Sequence, residues 1–252
     1  MAEPKNANVL IVPAREGAKR AVKAALKAGV KRVVLTSSTA ATSLGANAPD
    51  YVADESVWTD VKKPGVSAYY QSKTLAERTA WALVIAAGDA SRLATVNPTA
   101  VLGPVLSDDF SGSIQLVQRL LTGKVAGIPR LGFNMVDVRD VADMHIRAMT
   151  APEAGGQRFI ASGAFAWMGD LAAILRDNLG ARASKVPTRK VPDFVLRLAA
   201  LFDKDLTAIT PQRGKKHEYS SAKAQKLLGW KPRALKDTVL DCANSLITVG
   251  AT

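Results

Sequence analysis

Residues 31–38 read KRVVLTSS, and residues 69–87 read YYQSKTLAERTAWALVIAA. The first is a β-branched run. It predicts a buried strand over 31–36, with Ser37 and Ser38 at its C-terminal end. The second predicts an amphipathic helix opening at Tyr69. A buried strand followed by such a helix is the repeating unit of a parallel sheet.

The pattern extends in both directions. Residues 14–28 (AREGAKRAVKAALKA) place Val22, Ala25 and Leu26 on one helical face, and Gly29 stops the helix. Residues 40–67 are irregular, marked by the loop DESVWTD (54–60) and by Pro64-Gly65. Residues 91–98 (SRLATVNP) read as a strand that Pro98 ends. Further helices are expected over 112–122, 140–150, 168–179, 192–202, 221–228 and 235–247, with a short strand at 157–161. The fold class that follows is α/β: a mainly parallel sheet with flanking helices plus a smaller C-terminal lobe. Residues 1–150 make the core and 151–252 mainly the second lobe, with the two interleaved.

Composition narrows the function classes. Of 252 residues, 48% are apolar and 22% charged, which suits a packed globular chain and excludes disorder. No apolar run approaches the ~20 residues of a membrane helix. The opening MAEPKNANVL lacks the pattern of a signal peptide. Cys242 is the single cysteine, so the expected home is a reducing cytoplasm, with no internal disulfide. One cysteine and two histidines, His145 and His217, give no zinc set. The net charge is +12, and residues 181–240 carry 14 Lys/Arg against 5 Asp/Glu. No aromatic-interleaved basic stripe accompanies that surplus, so it reads as solvated surface rather than a nucleic-acid site.

Tyr69 and Lys73 stand one helical turn apart on one face. A free phenol, with a pKa near ~10, exchanges protons slowly at neutral pH. An ammonium beside a phenol favours the phenolate. Ser38, at a strand end where open α/β sheets place ligands, can hydrogen-bond a substrate oxygen. The same Tyr-x-x-x-Lys spacing recurs at Tyr219 and Lys223, so spacing alone does not choose. Tyr219 follows no serine-ended strand and reads as structural or surface.

The segments KRVVLTSS, DESVWTD, YYQSKTLAE (69–77), NPTAVLGP (97–104), VDVRDVADMHIRAM (136–149), RFIASG (158–163) and LLGWKPR (227–233) resemble the extended short-chain dehydrogenases/reductases. Within them the chain is most similar to the dihydroflavonol-reductase-like ketone and aldehyde reductases of the NAD-dependent epimerase/dehydratase superfamily. The resemblance covers nearly the whole chain, and it implies an α/β fold with a partial Rossmann-like parallel sheet, flanking helices and a smaller C-terminal substrate lobe. It implies that Tyr69 protonates a carbonyl oxygen as hydride arrives from NADP or NAD, and that Lys73 holds the nicotinamide ribose. It implies that Ser38 orients a small-molecule carbonyl substrate. It also implies that Pro98, Thr99 and Val101 lie against the nicotinamide. Asn97 has two readings, a neighbour of that segment or a polar residue satisfying a strand end. Asp140 reads as a cap-like carboxylate, and His145, Trp58 and Trp230 as packing residues. DESVWTD and VLSDDFSGS (105–113) are expected to line the pocket. Ala18 and Arg20 replace a threonine and an asparagine found in some family members.

None of the 18 glycines forms G-x-G-x-x-G or G-x-x-G-x-x-G, the turn that brings backbone against a pyrophosphate. By the family pattern two to three strand–helix units, roughly 60–90 residues, would precede residue 14, and Met1 reads as an internal methionine. The strand at 31–36 is then expected to expose one edge, through which the chain could form a homodimer. Two rival functions stand beside carbonyl reduction. One is sugar-nucleotide epimerisation or dehydration with bound NAD. The other is a truncated, inactive member or interaction module.

Overall fold

The structure, a computed structural model, describes residues 4–125, 127–192 and 210–252. The helix expected over 192–202 falls, beyond Pro192, outside the described residues. Helix α1 spans Asn8–Lys27, strand β1 Val33–Thr36, β2 Tyr51–Ala53, α2 Ala68–Ala86, β3 Leu93–Pro98 and β4 Ala100–Leu102. Next come α3 Gly112–Leu121, β5 Gly132–Asp137, α4 Val138–Thr150, β6 Gln157–Ala161, β7 Phe165–Trp167 and α5 Met168–Leu179. The chain closes with β8 His217–Tyr219, α6 Ala222–Leu228 and α7 Leu235–Thr248.

Among the described residues, two three-stranded sheets and one two-stranded sheet, β2–β8, organise the molecule. The first is parallel, in the order β1–β3–β6, so the strand read at 31–36 pairs with the strand read at 91–98. Its two faces follow the period-two alternation of strand side chains. Val33, Leu35 and Leu93 face α1 and α2, where they pack with Val22, Ala80 and Val84. Val34, Ala94, Val96 and Phe159 face α4 and α6, against Met144, Ala148, Leu228 and the fully buried Trp230. Burial of such side chains contributes about 1.5–3 kcal/mol each, so this sandwich holds the first layer together. The second sheet, β4–β5–β7, carries the other lobe, whose core joins α3, α5 and α7 around Leu120, Leu171, Leu175 and Leu246.

The chain crosses between these layers. β4 and β5 leave the first half for the second sheet, and β6 returns to complete the first. Helix α1 starts earlier than the periodic segment 14–28 and accommodates Pro13 inside it. Gly29 takes φ 69° just beyond its end, a left-handed conformation that glycine adopts without a Cβ penalty. Residues 40–67, read as loop, contain β2, which pairs in parallel with β8 from the far end of the chain. Among the described residues β1 has one partner, β3, and its other margin is open.

Candidate active site

Ser37 and Ser38 leave the C-terminal end of β1, as the sequence predicts. The Ser37 N–H donates to the Val96 carbonyl at 2.7 Å, extending the β1–β3 ladder by one residue. Ser38 then caps a single 3-10 turn, Thr39–Ala41, its Oγ accepting from the Ala40 N–H at 3.1 Å. A hydroxyl that accepts from backbone keeps its own proton to donate elsewhere. The cap therefore fixes the Ser38 oxygen while leaving a donor aimed by rotation about one bond.

Ser67 caps α2, its Oγ accepting from the Tyr70 N–H at 3.4 Å. Tyr69 lies in the first turn and is 42% exposed, so its ring stands at the surface of the site. Lys73 follows one turn later, with Nζ 5.7 Å from the Tyr69 ring centroid. Ser38 and Tyr69 meet across a cavity of about 240 Å³, whose walls also include Pro98 and Thr99. A neighbouring cavity of about 550 Å³ shares Tyr69 and Thr99 and is lined in addition by Val101. Five of the six expected site residues thus line these two spaces. Lys73 instead lines a third space, between α1, α2 and the end of β1, together with Thr36 and Ser37.

The backbone of the Pro98–Thr99 segment is partly committed. The Thr99 N–H donates to Ala161 O at 3.1 Å, and the Pro98 carbonyl accepts from Thr39 Oγ1 at 3.2 Å. Ser113 Oγ donates to the Val101 carbonyl at 2.5 Å.

All four tyrosines of the chain line the smaller cavity. Tyr219 is therefore neither a surface residue nor part of a helix with Lys223. It ends β8, its hydroxyl lies 3.2 Å from that of Tyr51, and Tyr51 OH lies 3.2 Å from Ser43 Oγ. Lys223 sits over the Phe159 ring, 5.8 Å away. Burial, with the phenols of Tyr51 and Tyr69 nearby, pushes the Tyr70 hydroxyl up to about 12. Burial also raises Tyr219 well above the usual phenol range. Both remain neutral hydrogen-bonding groups at ordinary pH. His217 stacks on Tyr51 with ring centroids 4.5 Å apart. The wall is built by the β2–β8 pairing, two three-residue strands whose paired residues lie 166 positions apart (Tyr51 with His217), which local periodicity does not reveal.

The two loops expected around the pocket divide. Ser111, Gly112 and Ser113, from VLSDDFSGS, line the larger cavity. No residue of DESVWTD lines either one. That loop is pinned elsewhere by Arg158, which donates to the carbonyls of Glu55 (2.7 Å) and Val57 (2.9 Å) and stacks on the Trp58 ring at 3.7 Å.

Arg158 also joins a buried hub that the sequence did not reveal. Its Nε lies 2.7 Å from Oε1 of Glu77, one turn beyond Lys73 on α2. Glu77 Oε2 accepts from Ser37 Oγ at 2.5 Å and from Asn97 Nδ2 at 2.8 Å. Oε1 accepts from Thr95 Oγ1 at 3.1 Å and from Trp81 Nε1 at 3.3 Å. Asn97 Nδ2 further donates to the Ser38 carbonyl at 3.1 Å. Of the two readings of Asn97, the structure shows the strand-end one.

Asp140 does not cap α4. Asp137 does, accepting from the Arg139 N–H at 2.9 Å. Asp140 instead accepts from the Arg233 N–H at 2.7 Å and pairs with the Arg233 guanidinium, while its carbonyl accepts from Trp230 Nε1 at 2.8 Å. His145 bridges the Val141 carbonyl (2.8 Å) and Thr36 Oγ1 (2.7 Å). Among the described residues no helix is long and apolar enough to cross a membrane, and no group of three or more His, Cys, Asp or Glu is placed to hold a metal ion.

Known proteins resemble this chain in sequence and fold. The family model for the NAD dependent epimerase/dehydratase family matches residues 3–161. Cinnamoyl-CoA reductase 1 of Arabidopsis thaliana is 39% identical over 158 residues, covering 62% of this chain and 45% of that protein. The NADPH-dependent methylglyoxal reductase of Saccharomyces cerevisiae is 31% identical, covering 94% of this chain and 70% of that protein. The chain thus spans about half the length of the plant reductases it matches. The crystal structure of the yeast methylglyoxal/isovaleraldehyde reductase complexed with NADPH superposes with a TM-score of 0.77 at 27% identity, over 100% of this chain and 75% of that one. By the family model, the relatives and the shared fold, this chain belongs to the NAD dependent epimerase/dehydratase family, among its dihydroflavonol-reductase-like reductases.

Proposed function

We propose that the chain reduces a ketone or aldehyde to an alcohol, with NADPH or NADH as hydride donor. The observation that carries this reading is the single cavity onto which Ser38, Tyr69, Pro98 and Thr99 open, with Lys73 one turn from Tyr69. The residues present fit the nicotinamide end of such a cofactor. Pro98, Thr99 and Val101 offer it a wall, and Lys73 lies beside the end of β1, where it can hold a ribose hydroxyl. They do not include the glycine-rich turn that would cradle a pyrophosphate.

When bound, the cofactor supplies hydride to the carbonyl carbon. Ser38 donates a hydrogen bond to the carbonyl oxygen, and Tyr69 delivers the proton that completes the hydroxyl. The Lys73 ammonium stabilises the phenolate that remains. Of the four tyrosines, Tyr70 and Tyr219 are held neutral by burial and the Tyr51 hydroxyl is engaged with Ser43 and Tyr219, which leaves the exposed Tyr69 as the acid. NADPH is the favoured donor, since the yeast relative is named NADPH-dependent. A reducing cytoplasm suits the single buried thiol, and the open margin of β1 is where two copies would pair.

The test is Tyr69→Phe, with aldehyde reduction followed by loss of NADPH absorbance. The variant is expected to fold and to lose turnover by about 100-fold or more, the scale of a lost general acid. Unchanged turnover would refute the assignment. NAD retained through purification, with turnover of a nucleotide sugar, would move the chemistry to epimerisation or dehydration.

A further inference from the structure

We infer that Glu77 is a positioning residue for the reaction, tying the serine segment after β1 to the tyrosine helix α2. This rests on the reductase reading above. Ser38 and Tyr69 belong to separate elements, and reduction requires both to address one carbonyl oxygen. The side chain of Glu77, fully buried, bridges them. It sits on α2 one turn beyond Lys73 and takes the Ser37 hydroxyl at 2.5 Å and the Asn97 amide at 2.8 Å on the same oxygen. Asn97 shares its Nδ2 with the Ser38 carbonyl at 3.1 Å. Thus both serines are referenced to the helix that carries Tyr69, one directly and one through Asn97. Arg158, from β6, supplies the compensating charge, its Nε 2.7 Å from Oε1 and its Nη2 3.5 Å from Oε2, so that the short bonds at Oε2 come from the serine side.

The polarity of this arrangement is one-way. Glu77 offers two acceptors to five donor groups. Glu77→Gln replaces one acceptor by a donor. Arg158 demands an acceptor at Oε1, so the new N–H₂ faces Asn97 Nδ2, donor against donor. Asn97 must then move, and with it the hold on Ser38. Displacements of about 1 Å at a reacting group cost on the order of 100-fold in rate.

The experiment compares Glu77→Gln, Ser37→Ala and Trp81→Phe by hydrogen exchange and by turnover. Ser37→Ala and Trp81→Phe each delete one hydrogen bond to Glu77, the first on the serine side and the second on the opposite side. Glu77→Gln is expected to accelerate exchange at the amides of Ala40, Ala41 and Thr42 and to lower kcat by on the order of 100-fold, with KM within about threefold. Ser37→Ala should do the same in smaller measure, while Trp81→Phe leaves exchange at 40–42 and kcat as in the parent chain. Equal effects of Ser37→Ala and Trp81→Phe would show that Glu77 serves stability alone and overturn the inference. The exchange arm needs no turnover. A parent chain with no activity defeats the reductase reading, whereas unaltered exchange at 40–42 in Ser37→Ala defeats the positioning role. Ser37→Ala also carries the test if Glu77→Gln fails to fold, because Glu77 then keeps Arg158 and three other donors.

Discussion

Replacing Arg158 by methionine removes the cation from the most buried ion pair among the described residues and should destabilise the fold severely. The Arg158 side chain is 8% exposed and that of Glu77 is 0% exposed, with 2.7 Å between Nε and Oε1. Methionine preserves most of the volume but leaves the Glu77 carboxylate uncompensated. It also strips donors from the carbonyls of Glu55 and Val57. Breaking one partner of a buried pair costs about 3–5 kcal/mol, because the remaining charge stays desolvated. For a chain of this length that corresponds to a fall in Tm of roughly 6–20 °C, at about 2–4 °C per kcal/mol. Urea unfolding followed by tryptophan fluorescence measures the loss, which should appear as a lower midpoint at constant m. The double variant Arg158→Met/Glu77→Gln removes the orphaned charge. It should therefore lose less than the sum of the singles, with a coupling of about 0.5–3 kcal/mol. A loss below about 1 kcal/mol for Arg158→Met would place the pair with exposed ion pairs and refute the argument. Strict additivity of the double variant would do the same.

Three further outcomes follow from named groups. Burial raises the Cys242 thiol to about 11, so in the folded chain it should stay unmodified by iodoacetamide at mildly alkaline pH and react fully in denaturant; rapid native labelling would contradict its placement in the core. Burial also raises the Glu55 carboxyl above its ordinary 4.5, which means that the folded state disfavours the charged form. The stability tied to Glu55 is then complete below that value and declines as pH rises through the folded one. Glu55→Gln retains an acceptor for the Ile160 N–H and should unfold at higher urea than the parent at pH 7, with the gap closing under acid conditions; a gap that widens on acidification would reverse the sign. Calorimetric titration with NADPH and with its mononucleotide fragment should give dissociation constants within about tenfold of each other, a difference of ~1.4 kcal/mol, because the proposed nicotinamide wall is Pro98, Thr99 and Val101 and the 252 residues hold no glycine-rich turn for pyrophosphate. A far larger advantage for NADPH would reveal a phosphate site that the sequence does not display.

What the sequence made legible tracks the length of each signal. Helices α2, α3, α4 and α5 lie within two residues of the expected spans at both ends, since each repeats its apolar positions over several turns. β1, β3 and β6 were equally readable, because strands covered on both faces are continuous apolar or β-branched runs. β2, β4, β7 and β8 are three residues each, too short to show any period, and their pairing is set by tertiary context. For the same reason the Tyr51–Tyr219 contact was invisible, and Tyr219 looked peripheral. Asp140 looked like a cap because it opens a helical segment. The aspartate three residues earlier takes that role, since its backbone is still extended, at φ −75° and ψ 138°.

The position of the site follows from a gradient along one face of the first sheet. On the side facing α2, β3 presents Leu93, then Thr95, then Asn97, and β6 presents Arg158 beside them. The lower part of that face is sealed by Val22, Ala80 and Val84, so polar groups are tolerated only where each has a partner. Glu77 supplies the partner for all of them at once, and it does so one helical turn beyond Lys73 and two beyond Tyr69. The register of α2 on the sheet is thereby set by a buried polar contact rather than by apolar packing, which tolerates sliding. A shift of α2 by one turn would take the Glu77 bonds from Arg158, Asn97 and Thr95 and leave the buried carboxylate without its partners, with a penalty of about 1–3 kcal/mol for a buried group left unsatisfied and more for the charged one. The residues that fix the helix against the strands are therefore the same ones that bring Tyr69 to the end of β1, and site geometry in this chain is a by-product of how its core polar groups are satisfied.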